Sequence, residues 1–240
     1  YRLPYTRQYS VAVEQPLGRT NSFSVSYVGA AGRRQSRVES LRPQTLQNPL
    51  FTRVDAVSNG AYSDYHSLQT QLQRRMSRGL QALVSYTWAK SLDTSSDESI
   101  VNLLGPLSRG NVALDRGPSS FDIRHVFTGA ASYELPRFAG NRVAHAIAGG
   151  FALDSMVRLR GATPVTVVTG RDPLGLGLTN VARPDVVAGR PLYLEGDGYA
   201  GGRVFNPAAF DGASPLAQAR QGTLGRGVMR GFALRQVDLS

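Results

Sequence analysis

The chain contains no cysteine. That excludes a disulfide framework and any cysteine-ligated metal site. It has one lysine, Lys90, so every other basic residue is arginine. It has no apolar run near the roughly 18–20 residues of a membrane helix, which excludes a helical membrane protein. A β-barrel stays open, because barrel strands alternate and average to a modest hydropathy. The opening Tyr1-Arg2-Leu3-Pro4 carries neither a Met nor a signal peptide, and the close at Val237-Asp238-Leu239-Ser240 reads as mid-strand. The expectation is therefore a fragment at both ends, so a missing leader says nothing about export. The net charge of +10 first suggests nucleic acid. However, so lopsided an arginine-to-lysine ratio is explained more simply by a GC-rich genome. The short groups Arg33-Arg34 and Arg74-Arg75 also lie beside expected turns and not along one helical face. No nucleic-acid partner is expected.

What is present is period-two alternation, the mark of a strand with two unlike faces. Tyr9, Val11 and Val13 oppose Gln8, Ser10, Ala12 and Glu14, and Phe23, Val25 and Tyr27 oppose Ser22, Ser24 and Ser26. The link Pro16-Leu17-Gly18-Arg19-Thr20-Asn21 is short and turn-forming, which predicts a hairpin near 7–28. A second hairpin is predicted near 65–92. There Leu68, Thr70 and Leu72 oppose Ser67, Gln69, Gln71 and Gln73, and Leu80, Ala82, Val84, Tyr86 and Trp88 oppose Gln81, Ser85, Thr87 and Ser91. Its link, Arg74 to Gly79, is again short. A third is predicted near 121–161, with Phe121, Ile123, Phe127, Ala131 and Tyr133 on one face of its first strand. Phe151, Leu153, Val157 and Leu159 share a face of its second, and a compact link runs from about Pro136 to Gly149. A last strand begins near Leu234.

Between these hairpins, residues 29–64, 93–120 and 162–231 are long, polar and rich in Gly, Pro, Asn, Asp and Arg. Links thus alternate short and long. Compact soluble domains rarely carry three long loops, whereas an outer-membrane barrel has short periplasmic turns and long external loops. Alternation alone fits a soluble β-sandwich equally well; the rhythm of the links favours the barrel. The fold expected over residues 1–240 is all-β: an antiparallel transmembrane β-barrel segment of about seven strands. On this reading Tyr9, Tyr27, Tyr86, Trp88, Tyr133 and Phe151 are candidates for the aromatic girdles at the lipid–water boundary, although they would also serve as sandwich-core aromatics. Asp122, Arg124, Asp154 and Arg158 are candidates for paired charges lining a wet lumen.

Tyr65-His66-Ser67-Leu68-Gln69-Thr70-Gln71-Leu72-Gln73-Arg74-Arg75, Gly79-Leu80 and Val84-Ser85-Tyr86-Thr87-Trp88-Ala89-Lys90-Ser91 resemble a hairpin of Oar-like TonB-dependent receptors, a family that usually carries an amino-terminal carboxypeptidase-regulatory-like domain. So do Val25-Ser26-Tyr27-Val28-Gly29, Asp115-Arg116-Gly117-Pro118, Phe121-Asp122-Ile123-Arg124-His125 and Phe205-Asn206-Pro207-Ala208-Ala209-Phe210. The closing Gly222-Thr223-Leu224-Gly225-Arg226, Arg230-Gly231 and Val237-Asp238-Leu239-Ser240 are similar to the family's late barrel. The resemblance implies a parent of about two dozen strands with an amino-terminal plug, driven by the TonB complex and located in the bacterial cell outer membrane. Neither a plug, a TonB box nor a final strand with a terminal aromatic is visible in these residues. The partners it implies are outer-membrane lipid, the plug and remaining strands of the same protein, the TonB complex through the amino-terminal part, and an unidentified ligand.

Catalytic and metal chemistry is sparse. His66, His125 and His145 lie far apart with no HxH or HxxxH spacing for zinc. Asp93, Asp97 and Glu98 form a small acidic cluster without a calcium-loop pattern, which reads as a solvated loop. Gly170 to Gly177 lacks both P-loop and dinucleotide spacing and reads as a flexible external loop. No Gly-x-Ser-x-Gly is present. The expectation is a non-enzyme without cofactor: part of a receptor-transporter whose long segment 162–231 contributes to ligand contact. The alternative is a soluble or surface-exposed β-sandwich binding module, adhesin-like. A hydrolase is a more distant rival, to be revived by three convergent polar groups in a closed pocket.

Overall fold

A computed structural model describes residues 2–41, 50–51, 54–96, 111–135, 151–172 and 182–240. Four long strands come first: β1 (Tyr5–Leu17), β2 (Asn21–Leu41), β3 (Val54–Ser77) and β4 (Leu80–Asp93). A two-residue strand, β5 (Gly117–Pro118), precedes β6 (His125–Glu134) and β7 (Ala152–Arg160). Six short strands follow: β8 (Pro164–Val165), β9 (Asp185–Val186), β10 (Tyr193–Glu195), β11 (Arg203–Phe205), β12 (Phe210–Asp211) and β13 (Met229–Arg230). Between β12 and β13 lies one short helix, α1 (Ala213–Ala217), and the last strand is β14 (Leu234–Leu239).

Seven strands form one antiparallel path, β1-β2-β3-β4-β6-β7-β14, with β5 paired to the far end of β4. Short turns join β1 to β2 and β3 to β4, as antiparallel hairpin neighbours require, whereas β7 and β14 pair across the whole segment that carries β8–β13. The β3–β4 turn shows the chemistry: Ser77 pairs with Leu80, and Arg78 and Gly79 between them both have positive φ (52° and 80°). That is the left-handed pair a two-residue turn needs to match strand twist, and it favours glycine.

The register keeps the two faces distinct across the whole sheet. One row runs Val13, Val25, Thr70, Tyr86, Phe127 and Leu159; the next runs Gln15, Phe23, Leu72, Val84, Gly129, Val157 and Val237. On the opposite face a row runs Glu14, Ser24, Gln71, Ser85, Thr128, Arg158 and Gln236. One face is thus mainly apolar and the other mainly polar, with Arg235 an exception on the first and Leu83, Ala130 and Met156 on the second. No second sheet covers the apolar face among the described residues: Val11 remains 70% exposed and Val237 61%. Among the described residues the buried apolar residues, Ala61, Ala89, Ala182, Ala209, Leu224 and Met229, all lie outside these apolar rows. A β-sandwich would bury its apolar face against a second sheet, so the sandwich is set aside here.

Two boundaries differ from the expectation. The described part of residues 29–64 is mostly strand and not loop, because β2 and β3 pair out to Leu41 and Val54 through a register shift between Gly32 and Arg37. Backbone pairing carries on past the apolar stretch, where alternation in hydropathy gives no further sign. The third hairpin begins at His125 and not at Phe121, since the backbone of Asp122 closes a turn onto Ser119. Residues 162–231 also carry more order than a long loop suggests, with β8 paired to β13, β9 to β12 and β10 to β11. The compact link from Pro136 to Gly149, together with His145, Asp97, Glu98 and the second half of the glycine-rich stretch, lies outside the described residues.

Candidate functional site

The expected girdle aromatics fall into two groups on the apolar face. Tyr9, Tyr27, Tyr86 and Trp88 lie toward the end that carries the long links, all exposed. Tyr133 and Phe151 lie at the short-turn end, where Tyr133 opposes Leu153 and the carbonyl of Phe151 accepts from the Leu135 amide at 3.0 Å. Eight residues separate Trp88 from Leu80, the partner of Tyr133. That is about 26 Å of strand, or about 20 Å along the normal at a tilt of about 40°. An apolar band between aromatic margins is of this order.

The upper margin contains a repeated unit that the sequence reading did not anticipate. The Tyr27 hydroxyl meets His66 Nδ1 at 2.7 Å, and the Tyr86 hydroxyl meets His125 Nδ1 at 2.8 Å. Each ring pair lies 6.2 Å apart, nearly stacked. Both histidines are thus tied to tyrosines on the apolar face.

The four expected lumen charges separate. Asp154 and Arg158 lie on the polar face of β7, opposite Ser132 and Thr128, both exposed. They form no ion pair with each other among the described residues. Arg124 precedes β6, and its carbonyl accepts from the Ala89 amide at 3.0 Å. Asp122 differs from the expectation. It lies in a turn, buried, and pairs not with Arg124 but with Arg230 at 2.7 Å, while accepting from the Ser91 amide at 2.7 Å. The sequence placed it on a strand because Phe121, Ile123 and Phe127 keep period two through a turn.

Asp122 belongs to a larger cluster at the long-link end of the polar face. Asp115 lies fully buried between Arg37 (2.5 Å) and Arg183 (3.1 Å). Arg183 also donates to the carbonyls of Leu224 (3.0 Å) and Leu114 (2.8 Å). Arg226 pairs with Asp93 and donates to the Asp115 carbonyl and the Ser96 hydroxyl, both at 2.8 Å. Arg230 reaches the carbonyl of Asp122 at 2.8 Å as well as its carboxylate. Three aspartates from the wall and its nearby link thereby hold three arginines of the segment 182–231, with Arg37 of β2 as a fourth cation. Buried charges survive only when paired and hydrogen-bonded, and each guanidinium here uses its fork on several acceptors.

Close backbone approach completes the clamp. A Cβ at Gly117 would run into the Arg226 carbonyl, so only glycine fits beneath that arginine. Within the segment, Asn206 Nδ2 donates to the Pro191 carbonyl at 2.7 Å, while its Oδ1 accepts from the Ala208 amide. Asp185 is forked to Arg220 at 2.6 and 2.9 Å. The Arg220 guanidinium holds the Asp185 carboxyl down at about 2, aided by the Thr223 amide against partial desolvation.

Asp93 is thus no member of a solvated acidic loop. It ends β4, buried, against Arg226. No group of metal-binding side chains occurs among the described residues. The arrangement is electrostatic and mechanical: it fastens a long folded segment to one end of a sheet.

The whole chain, residues 1–240, matches the family model described as outer membrane beta barrel domain. No curated protein matches it. Among solved structures it is similar to the outer membrane transporter YddB from Escherichia coli, with 13% identity and a TM-score of 0.49. That match covers 70% of this chain, which spans only 22% of the other protein.

Proposed function

Since the chain belongs to the outer membrane β-barrel domain family, and so resides in the bacterial outer membrane, we propose that it is part of the wall of an Oar-like, TonB-dependent receptor-transporter. The apolar face meets lipid and the polar face lines the lumen. The short turns then face the periplasm, and the segment 182–231 lies on the outer side, where ligand arrives.

One observation carries this reading. The stretches that resemble Oar-like receptors supply five residues of the clamp, Asp115, Gly117, Asp122, Arg226 and Arg230, while Arg37, Asp93 and Arg183 lie outside them. A resemblance confined to alternating strands would reflect hydropathy alone. Here it falls on a buried ionic joint whose partners come from distant parts of the chain. The joint leaves a folded lid-like body fixed to the wall, which suits a receptor that presents a shaped outer surface. The ligand class stays at oligosaccharide, peptide or siderophore. The reading includes no catalytic step.

The test uses the full-length protein. It should fractionate with the outer membrane, run as a heat-modifiable band, and bind the purified periplasmic domain of TonB through its amino-terminal part. A heat-modifiable outer-membrane band with no TonB binding would keep the barrel and remove the TonB-dependent assignment.

A further inference from the structure

Beyond the aromatic margin of the lipid face, the strands of the long-link end carry a dense set of arginines. We propose that Arg7, Arg33, Arg34 and Arg116, ordered on the rings of Tyr5 and Tyr62, form a site for the phosphate groups of outer-leaflet lipid.

The register fixes the face. Tyr5 and Arg7 continue the row parity of Tyr9, Val11 and Val13 on β1, and Tyr5 opposes Arg33 of β2. Asp64 continues the parity of His66 and Leu68 on β3 and opposes Leu92, which in turn opposes Pro118, two residues after Arg116. Between Gly32 and Arg37 the β2–β3 register slips, and Arg34 adopts φ 56°. Such a bulge re-aims side chains. Here it lets Arg33 and Arg34 both reach the lipid face, while Arg37 turns to the buried clamp.

Geometry holds the four guanidinium groups ready. Arg7 and Arg34 lie 5.3 and 5.5 Å from the centre of the Tyr5 ring. Arg33 and Arg116 lie 5.9 and 5.6 Å from the centre of Tyr62. Cation–π contact of this kind orders an arginine without neutralising it. One carboxylate, Asp64, bridges Arg33 (2.6 Å) and Arg116 (3.0 Å). Four cations against one anion leave a positive excess, to which exposed Lys90, in the row of Tyr9 and His66, adds.

Position selects the occupant. Arg7 lies two residues beyond Tyr9 and Arg33 opposite Tyr5, four beyond. That is about 7–13 Å of strand, or about 5–10 Å along the normal after tilt. Lipid headgroups occupy that layer, since the bilayer grows from about 30 Å of hydrocarbon to about 40–45 Å with its polar zones. Arginine forks match phosphate oxygens two at a time. A solvated loop would also accept arginines, but it would not order them on two tyrosines along the lipid-facing row.

The experiment measures lipid affinity of the full-length protein in nonionic detergent, by native mass spectrometry. The probes are diphosphoryl lipid A, phosphatidylcholine and inorganic phosphate. The expected result is retention of lipid A at least tenfold tighter than phosphatidylcholine. In R7Q/R34Q, which leaves the Asp64 ion pairs intact, lipid A should weaken roughly thirtyfold, from about fivefold per charge near an anionic surface. R7K/R34K keeps the charge and should recover part of that loss. Arg158→Gln, on the lumen face, should leave it unchanged. Equal retention in R7Q/R34Q, equal retention of phosphatidylcholine, or equally tight inorganic phosphate would each overturn the proposal.

Discussion

Arg183 and Asp115 meet at 3.1 Å across 68 residues of sequence, and both side chains are almost wholly buried. Arg37 approaches the other oxygen of the same carboxylate at 2.5 Å. A single carboxylate thus joins a long wall strand, β2, to the segment that follows β8. Removing one member of a buried ion pair leaves an uncompensated charge, at a cost of about 3–5 kcal/mol. Asp115→Asn in the full-length protein should therefore lower its unfolding midpoint in urea strongly. D115N/R183M should recover part of the loss, because it removes one of the stranded cations together with the carboxylate. Equal midpoints for D115N and the parent would show that the joint contributes nothing.

Arg226 makes a different kind of contact: Nε to the Asp115 carbonyl, Nη1 to Ser96, and Nη2 to Asp93. A lysine keeps the charge but donates from a single nitrogen, so it cannot span the three acceptors that the Nε, Nη1 and Nη2 of the planar fork reach. Arg226→Lys should therefore release the segment 182–231 while leaving the sheet paired. Limited proteolysis should cut that segment several-fold faster in R226K, with the heat-modifiable band retained. Unchanged cleavage would mean that charge alone holds the clamp.

The architecture was legible because strand chemistry is local. The faces of β1, β4 and β7 follow from every second residue, and the Arg78-Gly79 turn from its own glycine. The clamp was not legible in the same way. Asp93 and Asp115 look like ordinary loop acids and Asp122 like a lumen-facing strand residue, since burial and partners 68 to 133 residues away leave no local trace. For Asp115 and Asp122 the one sequence signal was the family-like stretches, whose polar residues have no hydropathic role; Asp93 lies outside them. The long outer reach of β2 and β3 was missed for a related reason. Those strands are held by backbone pairing where the two faces no longer differ in polarity. The tyrosine–histidine pairs needed the register, because their members are 39 residues apart.

The Asp185–Arg220 fork gives the segment a defined acid limit. The folded carboxyl lies at about 2, below the ordinary aspartate value of 3.8. A depressed carboxylate contributes stability that is complete above its unfolded value and lost as pH falls through the folded one. Hydrogen bonds from Ser214 and the amides of Ala213 and Ser214 lower the Asp211 carboxyl in the same direction. Amide protection at Val186 and Thr223, which lie against this fork, should hold from pH 7 to about pH 4 and fall between about pH 4 and 2. Asp185→Asn should abolish that fall. A loss of protection near pH 6 would point to a histidine and contradict the assignment.

The two faces of β4 give the most direct check of where lipid lies. Val84 sits mid-band between Leu72 and Gly129, and Ser85 next to it sits between Gln71 and Thr128 on the polar face. Adjacent residues on one strand share backbone geometry and differ only in the medium that receives the side chain. An arginine on the lipid face of a barrel costs about 2–4 kcal/mol at the midplane and about 0–1 kcal/mol near the interface, while lumen substitutions chiefly alter selectivity. Val84→Arg should therefore lower the stability of the full-length protein refolded into lipid vesicles by about that larger amount. Trp88→Arg, at the aromatic margin, should lose less of the electrostatic part, and Ser85→Arg should stay near the parent. Urea titration in vesicles followed by the heat-modifiable band reads all three. If Ser85→Arg proved the most damaging, the faces would be reversed and the polar rows would have to meet lipid. Equal effects at Val84 and Ser85 would mean that neither face does.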